Sequence, residues 1–271
     1  MHVRALLLGL GMLGLSACTL LVGTTGLSDG ASSAGEGGVD GASLPSEAAT
    51  DAMVDGAGDA STDADAAVGL PCVGRSEVTG WGSFTKEPGA NVTIAGDKLT
   101  ATASTTGVGQ KVREIANYDP AGFVPSRVRV AYQVTFEPSA SMYFEPGCSI
   151  HVIGPNGTVL RHIPTVDGTR LVEYLNVYKS GADDDRTRTI TTSLASNRAT
   201  HSFDVTISLS GSSALVETIV DGTPGRFDGI TLEEKPTGYY VNCGIPYGSQ
   251  TSGPSGSLTV DVRGMAITAC R

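Results

Sequence analysis

Aromatic side chains are scarce: they make up 6% of the 271 residues, with a single tryptophan. Each is therefore needed either as core bulk or as a stacking surface for a ligand. No apolar run approaches the ~20 residues that cross a bilayer as a helix; the run Ala5 to Leu15 is far shorter. Lys and Arg are nowhere clustered, which excludes the phosphate contacts that nucleic-acid binding needs. No two cysteines stand in a Cys-x-x-Cys pair, so the close ligand spacing of common zinc sites is missing. Two catalytic signatures are absent as well. One is the Glu-x-Asp-x-(x)-Glu triplet that places retaining-glycosidase carboxylates on one strand face. The other is the Gly-x-Ser-x-Gly elbow of serine hydrolases. Glu233 and Glu234 are adjacent, and in a strand they would face opposite ways.

The N-terminus carries the most specific motif. Arg4 supplies charge, Ala5 to Leu15 an apolar stretch, and Ser16-Ala17 small residues before Cys18. This is the layout of a secretory signal. Leu15-Ser16-Ala17-Cys18 resembles the lipobox of bacterial lipoproteins. That resemblance implies cleavage before Cys18, a diacylglycerol thioether on its sulfur and acylation (palmitate or a similar chain) of the new amino end. Several acyl chains together anchor a protein where one does not. Thr19 is not the aspartate that retains many such lipoproteins at the inner membrane. The expected address is the cell envelope, and the outer membrane in a Gram-negative host.

Residues 18–70 read as a tether. From Thr19 to Pro71 there are nine acidic residues and no Lys, Arg, Phe, Tyr or Trp. Few apolar side chains and one sign of charge predict disorder, and self-repulsion extends such a chain. From Cys72 onward 17 basic residues face 19 acidic ones, so most of the formal charge of −10 belongs to the tether.

Residues 71–271 read as one all-β domain, a jelly-roll sandwich of two antiparallel sheets. Arg127 to Phe136 alternates with period two, placing Val128, Val130, Tyr132, Val134 and Phe136 on one face. His201 to Leu209 does the same. Gly96-Asp97, Asn156-Gly157, Gly211 and Asp221-Gly222 supply turns. Eleven or twelve strands are expected, with no long helix. The run Phe203 to Gly222, then Val241 to Ile245, then Leu258 to Ile267, resembles the concanavalin A-like and laminin-G-like jelly rolls, which implies a sugar-binding face or rim.

Four cysteines remain beyond the anchor, and an even number in an exported chain points to disulfides. Three connectivities are open. Cys72–Cys270, clasping the ends of the domain, with Cys148–Cys243 inside it, is the preferred set. Candidate ligand-stacking residues are Trp81, Tyr239, Tyr240 and Tyr247, the last expected in a loop. Asp183, Asp184 and Asp185, expected at a loop tip, are the only calcium candidates; no other cofactor is expected. His151 and His162 flank one hairpin and read as surface neighbours across it. The reading for function is a surface-tethered, non-catalytic β-sandwich that binds carbohydrate or another surface ligand. A degenerate or atypical glycan hydrolase or lyase is the alternative, and a structural envelope protein the third reading.

Overall fold

The computed structural model describes residues 72–271, so the signal, Cys18 and the tether lie outside the described residues. The described residues form strands and turns, with no helix. In chain order the strands are β1 (Ser76–Thr79), β2 (Thr85–Lys86), β3 (Val92–Ala95), β4 (Lys98–Ser104), β5 (Lys111–Tyr118), β6 (Arg127–Phe136), β7 (Met142–Gly154), β8 (Gly157–Asp167), β9 (Arg170–Val177), β10 (Asp184–Thr191), β11 (Ala199–Ser210), β12 (Ser213–Val220), β13 (Thr223–Thr231), β14 (Gly238–Gln250) and β15 (Ser257–Cys270).

They make two antiparallel sheets. One runs β13-β12-β11-β6-β15-β4-β3, with β1 also paired to β15; the other runs β10-β9-β8-β7-β14-β5-β2. The sheets stack as the expected jelly-roll sandwich. The alternation read in β6 is the reason it packs: Val128, Val130, Tyr132, Val134 and Phe136 are all buried. Phe203, Val205 and Ile207 on β11 extend that apolar face, and Phe144, Ile150 and Val152 on β7 meet it from the other sheet.

Both preferred disulfides are present. Cys148 and Cys243 are register partners on β7 and β14, with Cα atoms 4.1 Å apart. Cys72–Cys270 ties the first described residue to the last strand. Next to the first pair, Gly147 has φ +97°, and a side chain there would meet the Tyr132 ring at 2.7 Å. The glycine lets Tyr132 reach the Cys148 carbonyl with its hydroxyl.

Several expectations need correction. β14 does not stop at Ile245: a register shift around Pro246 absorbs the residue that cannot donate, and pairing resumes at Tyr247 and Gly248. Tyr247 is therefore a strand residue, not a loop residue. Asp184 and Asp185 open β10 instead of tipping a loop. His151 and His162 are not surface neighbours. His151 stands opposite Arg161, and His162 opposite Ile150, so the two rings point to opposite faces of the sheet. Both are buried.

Candidate functional site

The outer face of the seven-stranded sheet holds a cleft of about 620 Å³. Its residues follow from strand parity. On β14, Tyr239, Val241 and Cys243 point into the core, so Tyr240 and Asn242 point out. On β7, Cys148, Ile150 and Val152 point in, leaving Ser149 and His151 on the outer side. Register then sets Tyr240 opposite His151, Asn242 opposite Ser149 and Arg161 of β8 opposite His151. Lys111 and Arg113 come from β5; Thr158, Tyr178 and Tyr247 also line the cleft.

His151 is the centre of this face. Its ring stacks on Tyr240 with centroids 4.2 Å apart and planes 15° apart. Its Nε2 is 2.9 Å from the Ser149 hydroxyl, while Nδ1 has no partner among the described residues. Burial drives its pKa down to about 3, and the Arg161 and Arg113 guanidinium groups push the same way. The imidazole is thus neutral across the physiological range. Arg161 is pinned by Glu145, whose carboxyl burial pushes above the ordinary range even against that arginine. Arg113 is paired with Glu87 at 3.0 Å. Tyr247 lies edge-on to Tyr143, with centroids 6.0 Å apart, and Lys111 Nζ stands 5.9 Å from its ring centroid. Burial pushes Tyr143 up to about 12, with the Glu145 charge adding to it.

Asn242 is 3% exposed, and its Oδ1 has no partner among the described residues. A buried acceptor left unpaired is uncommon in a folded protein. With His151 Nδ1 and Arg161 Nε it makes three buried, unpartnered polar atoms on side chains of one cleft. A concave site with convergent polar groups and a displaced pKa has the marks of a binding or catalytic centre.

Of the four stacking candidates, Tyr240 and Tyr247 line this cleft. Trp81 and Tyr239 do not: they are core residues, 3% and 1% exposed. Trp81 packs on Phe84 and donates its Nε1–H to the Asp97 carbonyl, and Tyr239 packs against Tyr118 and Phe123. The calcium candidates are occupied by protein donors. Asp183 accepts the Lys179 N–H, Asp184 pairs with Arg186 and Lys179, and Asp185 accepts from the Asn176 amide. Among the described residues no three His, Cys, Asp or Glu side chains converge as metal ligands. Lys111, Arg113, His151, Arg161 and Asn242 were not among the candidates. The period-two signal that placed Tyr240 outside also places Asn242 there. Which arginines face His151 depends on pairing between strands far apart in sequence.

No family model matches the chain, and no curated protein matches it. Solved structures do. A family 7 alginate lyase in complex with substrate is 14% identical, with a TM-score of 0.46 over 64% of this chain and 78% of that one. The alginate lyase from Klebsiella pneumoniae is 10% identical, with a TM-score of 0.46 over 67% and 85%. An alginate lyase from Pseudomonas aeruginosa is 15% identical, with a TM-score of 0.44 over 66% and 86%. The expectation of a non-catalytic sandwich is corrected at this point. The matched structures are lyases by name, and the expectation rested on a missing carboxylate pair and serine elbow. Neither is required where a neutral imidazole, a phenol and guanidinium groups share one cleft.

Proposed function

We propose that the chain is a polysaccharide lyase that cuts an acidic glycan by β-elimination in the cleft of the seven-stranded sheet. The observation that carries this reading is the neutral, buried His151 sharing one cleft with the Tyr247 phenol and the Arg113 and Arg161 guanidinium groups. The same class of activity appears in the names of the matched structures.

A uronate in a glycan chain can lose its ring proton next to the carboxylate and the oxygen one carbon further on. The difficulty is the negative charge that builds on the carboxylate as the proton leaves. Fixed cations in a partly desolvated site offset that charge. In this reading Arg113, shared with Glu87, and the Asn242 amide hold the carboxylate. His151, neutral and with a free ring nitrogen, takes the proton. The C–H electron pair becomes the new C=C bond, the bond to the leaving oxygen breaks, and Tyr247 gives its phenolic proton to that oxygen. The seated carboxylate also opposes the two arginines that depress His151, so the imidazole becomes more basic when substrate is bound.

Removing a positioned general acid costs about 10²–10⁴-fold in rate. Tyr247→Phe is therefore expected to lose cleavage by that factor and to keep its affinity for the glycan. The readouts are the ultraviolet absorbance of the newly formed double bond and calorimetric binding. Full cleavage by the variant would remove Tyr247 from the mechanism.

We propose further that Cys18 carries lipid and tethers this activity to the envelope. The support is the lipobox-like Leu15-Ser16-Ala17-Cys18 and the acidic stretch after it. Cys18→Ala is expected to move the protein from the membrane fraction to the soluble one; unchanged fractionation would sink the idea.

A further inference from the structure

The outward-facing row that runs through the cleft and past its β8 side onto β9 and β10 is unevenly charged from one end to the other. Register places Tyr240, His151, Arg161, Asn176 and Asp185 in one row across β14, β7, β8, β9 and β10. Four strand spacings make that row roughly 19 Å long, enough for several sugar rings. Beyond its Tyr240 end, β5 contributes Lys111, and Arg113, whose charge Glu87 matches. In the middle, the charge of Arg161 is matched by Glu145. At the other end stand Asp183 and Asp185. Their hydrogen-bond partners are the Lys179 N–H and the neutral Asn176 amide, so neither carboxylate is offset by a paired cation. Both act on Tyr178, on the cleft wall: burial pushes its phenol up most, Arg161 pulls it down, and the two aspartates push it up further.

A glycan laid across the strands therefore meets the Lys111 ammonium at one end and carboxylates at the other. We infer, building on the lyase reading above, that the cleft selects a mixed chain: a uronate at the β5–β14 end and a neutral sugar toward β9–β10. A run of consecutive uronates would set a carboxylate beside Asp185 and Asp183, where like charges repel. A neutral ring meets instead the hydroxyls and ring faces of Tyr178, Tyr240 and Thr158, which suit a sugar's apolar faces and hydroxyls. Asp183 and Asp185 are the specificity-determining residues; they touch none of the reacting groups.

The test uses the full chain and two series of oligosaccharides of equal length. One is all uronate; the other alternates uronate with a neutral hexose. Binding is measured by calorimetry at low and moderate salt, and cleavage by double-bond absorbance. Wild type is expected to bind the alternating series about tenfold more tightly, with the gap narrowing as salt rises. The double variant Asp183→Asn/Asp185→Asn is expected to regain most of that factor for the all-uronate series and to change the alternating series less than about twofold. All-uronate chains bound equally well or better by wild type, with no response to the double variant, would overturn the inference. The lyase reading fails separately, if the predicted binding preference is found and neither series acquires a double bond.

Discussion

At the scale of single residues, His151 ties the site to pH. In the unfolded chain its imidazole titrates near the ordinary 6.5, and in the fold at about 3. Between those values the unfolded chain holds a proton that the folded one does not. Stability therefore falls as pH drops from about 6.5 toward 3, by at most ~1.4 kcal/mol per pH unit from this group. Glu145 works in the opposite sense, because its carboxyl is held above the ordinary range. The difference between wild type and variant thus carries the test. His151→Gln is expected to show a shallower loss of stability between pH 6.5 and 4 in urea unfolding, together with loss of cleavage. An unchanged slope would mean that the ring is not held neutral. In the sequence His151 was one of three histidines in strands, with nothing to mark it. Its neutrality comes first from burial and then from Arg161 and Arg113, which are brought to it by the pairing of strands far apart in sequence.

At the scale of elements, the open edges of the two sheets are joined by arginines. β10 and β13 are edge strands, and an unpaired edge is a site for unwanted pairing. Arg186 donates to the Asp228 and Gly229 carbonyls of β13, and Arg188 to the Pro224 carbonyl at 3.0 Å. Arg188 also meets Glu173, which is fully buried and lies 3.1 Å from His162, and reaches Thr218 on β12. Burial pushes Glu173 up, yet His162 and Arg188 outweigh it and hold the carboxyl below its usual range. A side chain at Gly225 would collide with the Arg188 guanidinium and displace it from its contacts with Glu173 and Thr218. Breaking a buried pair by removing one partner costs about 3–5 kcal/mol. Arg188→Met is expected to lose that much in urea unfolding, and Arg188→Met/Glu173→Gln distinctly less. Equal losses would show that the charge pairing is not what matters. β13 was missed in the sequence for a related reason. Thr223–Thr231 buries Phe227 and Ile230 but otherwise shows proline, two glycines and exposed polar residues. Much of what holds it lies on other strands. β6 and β11 were legible because half of each strand faces the core, and only period two can do that.

At the scale of the molecule, the seven-stranded sheet has one face for packing and one that holds the cleft. The core could be read from alternation alone. The cleft could not, because its lining comes from four strands, β5, β7, β8 and β14, with Tyr178 just past β9, and these meet only through sheet order. The two disulfides close loops with sequence separations of 198 and 95 residues. Chain entropy grows with the logarithm of loop length, so the two differ by less than about 1 kcal/mol on that ground, each within a range of 2–5 kcal/mol. Cys72→Ser/Cys270→Ser and Cys148→Ser/Cys243→Ser are accordingly expected to lower stability by similar amounts in denaturant unfolding. A much larger loss for the second pair would point to packing around Tyr132 instead of loop closure. The central claim is that the cleft around His151 and Tyr247 is a lyase site. Its most direct test is the double-bond absorbance of a uronate-containing glycan incubated with the purified protein. Wild type should generate unsaturated ends, and Tyr247→Phe should be slowed by about 10²-fold or more. Unsaturated product formed equally by both proteins, or by neither on any uronate glycan, would contradict it.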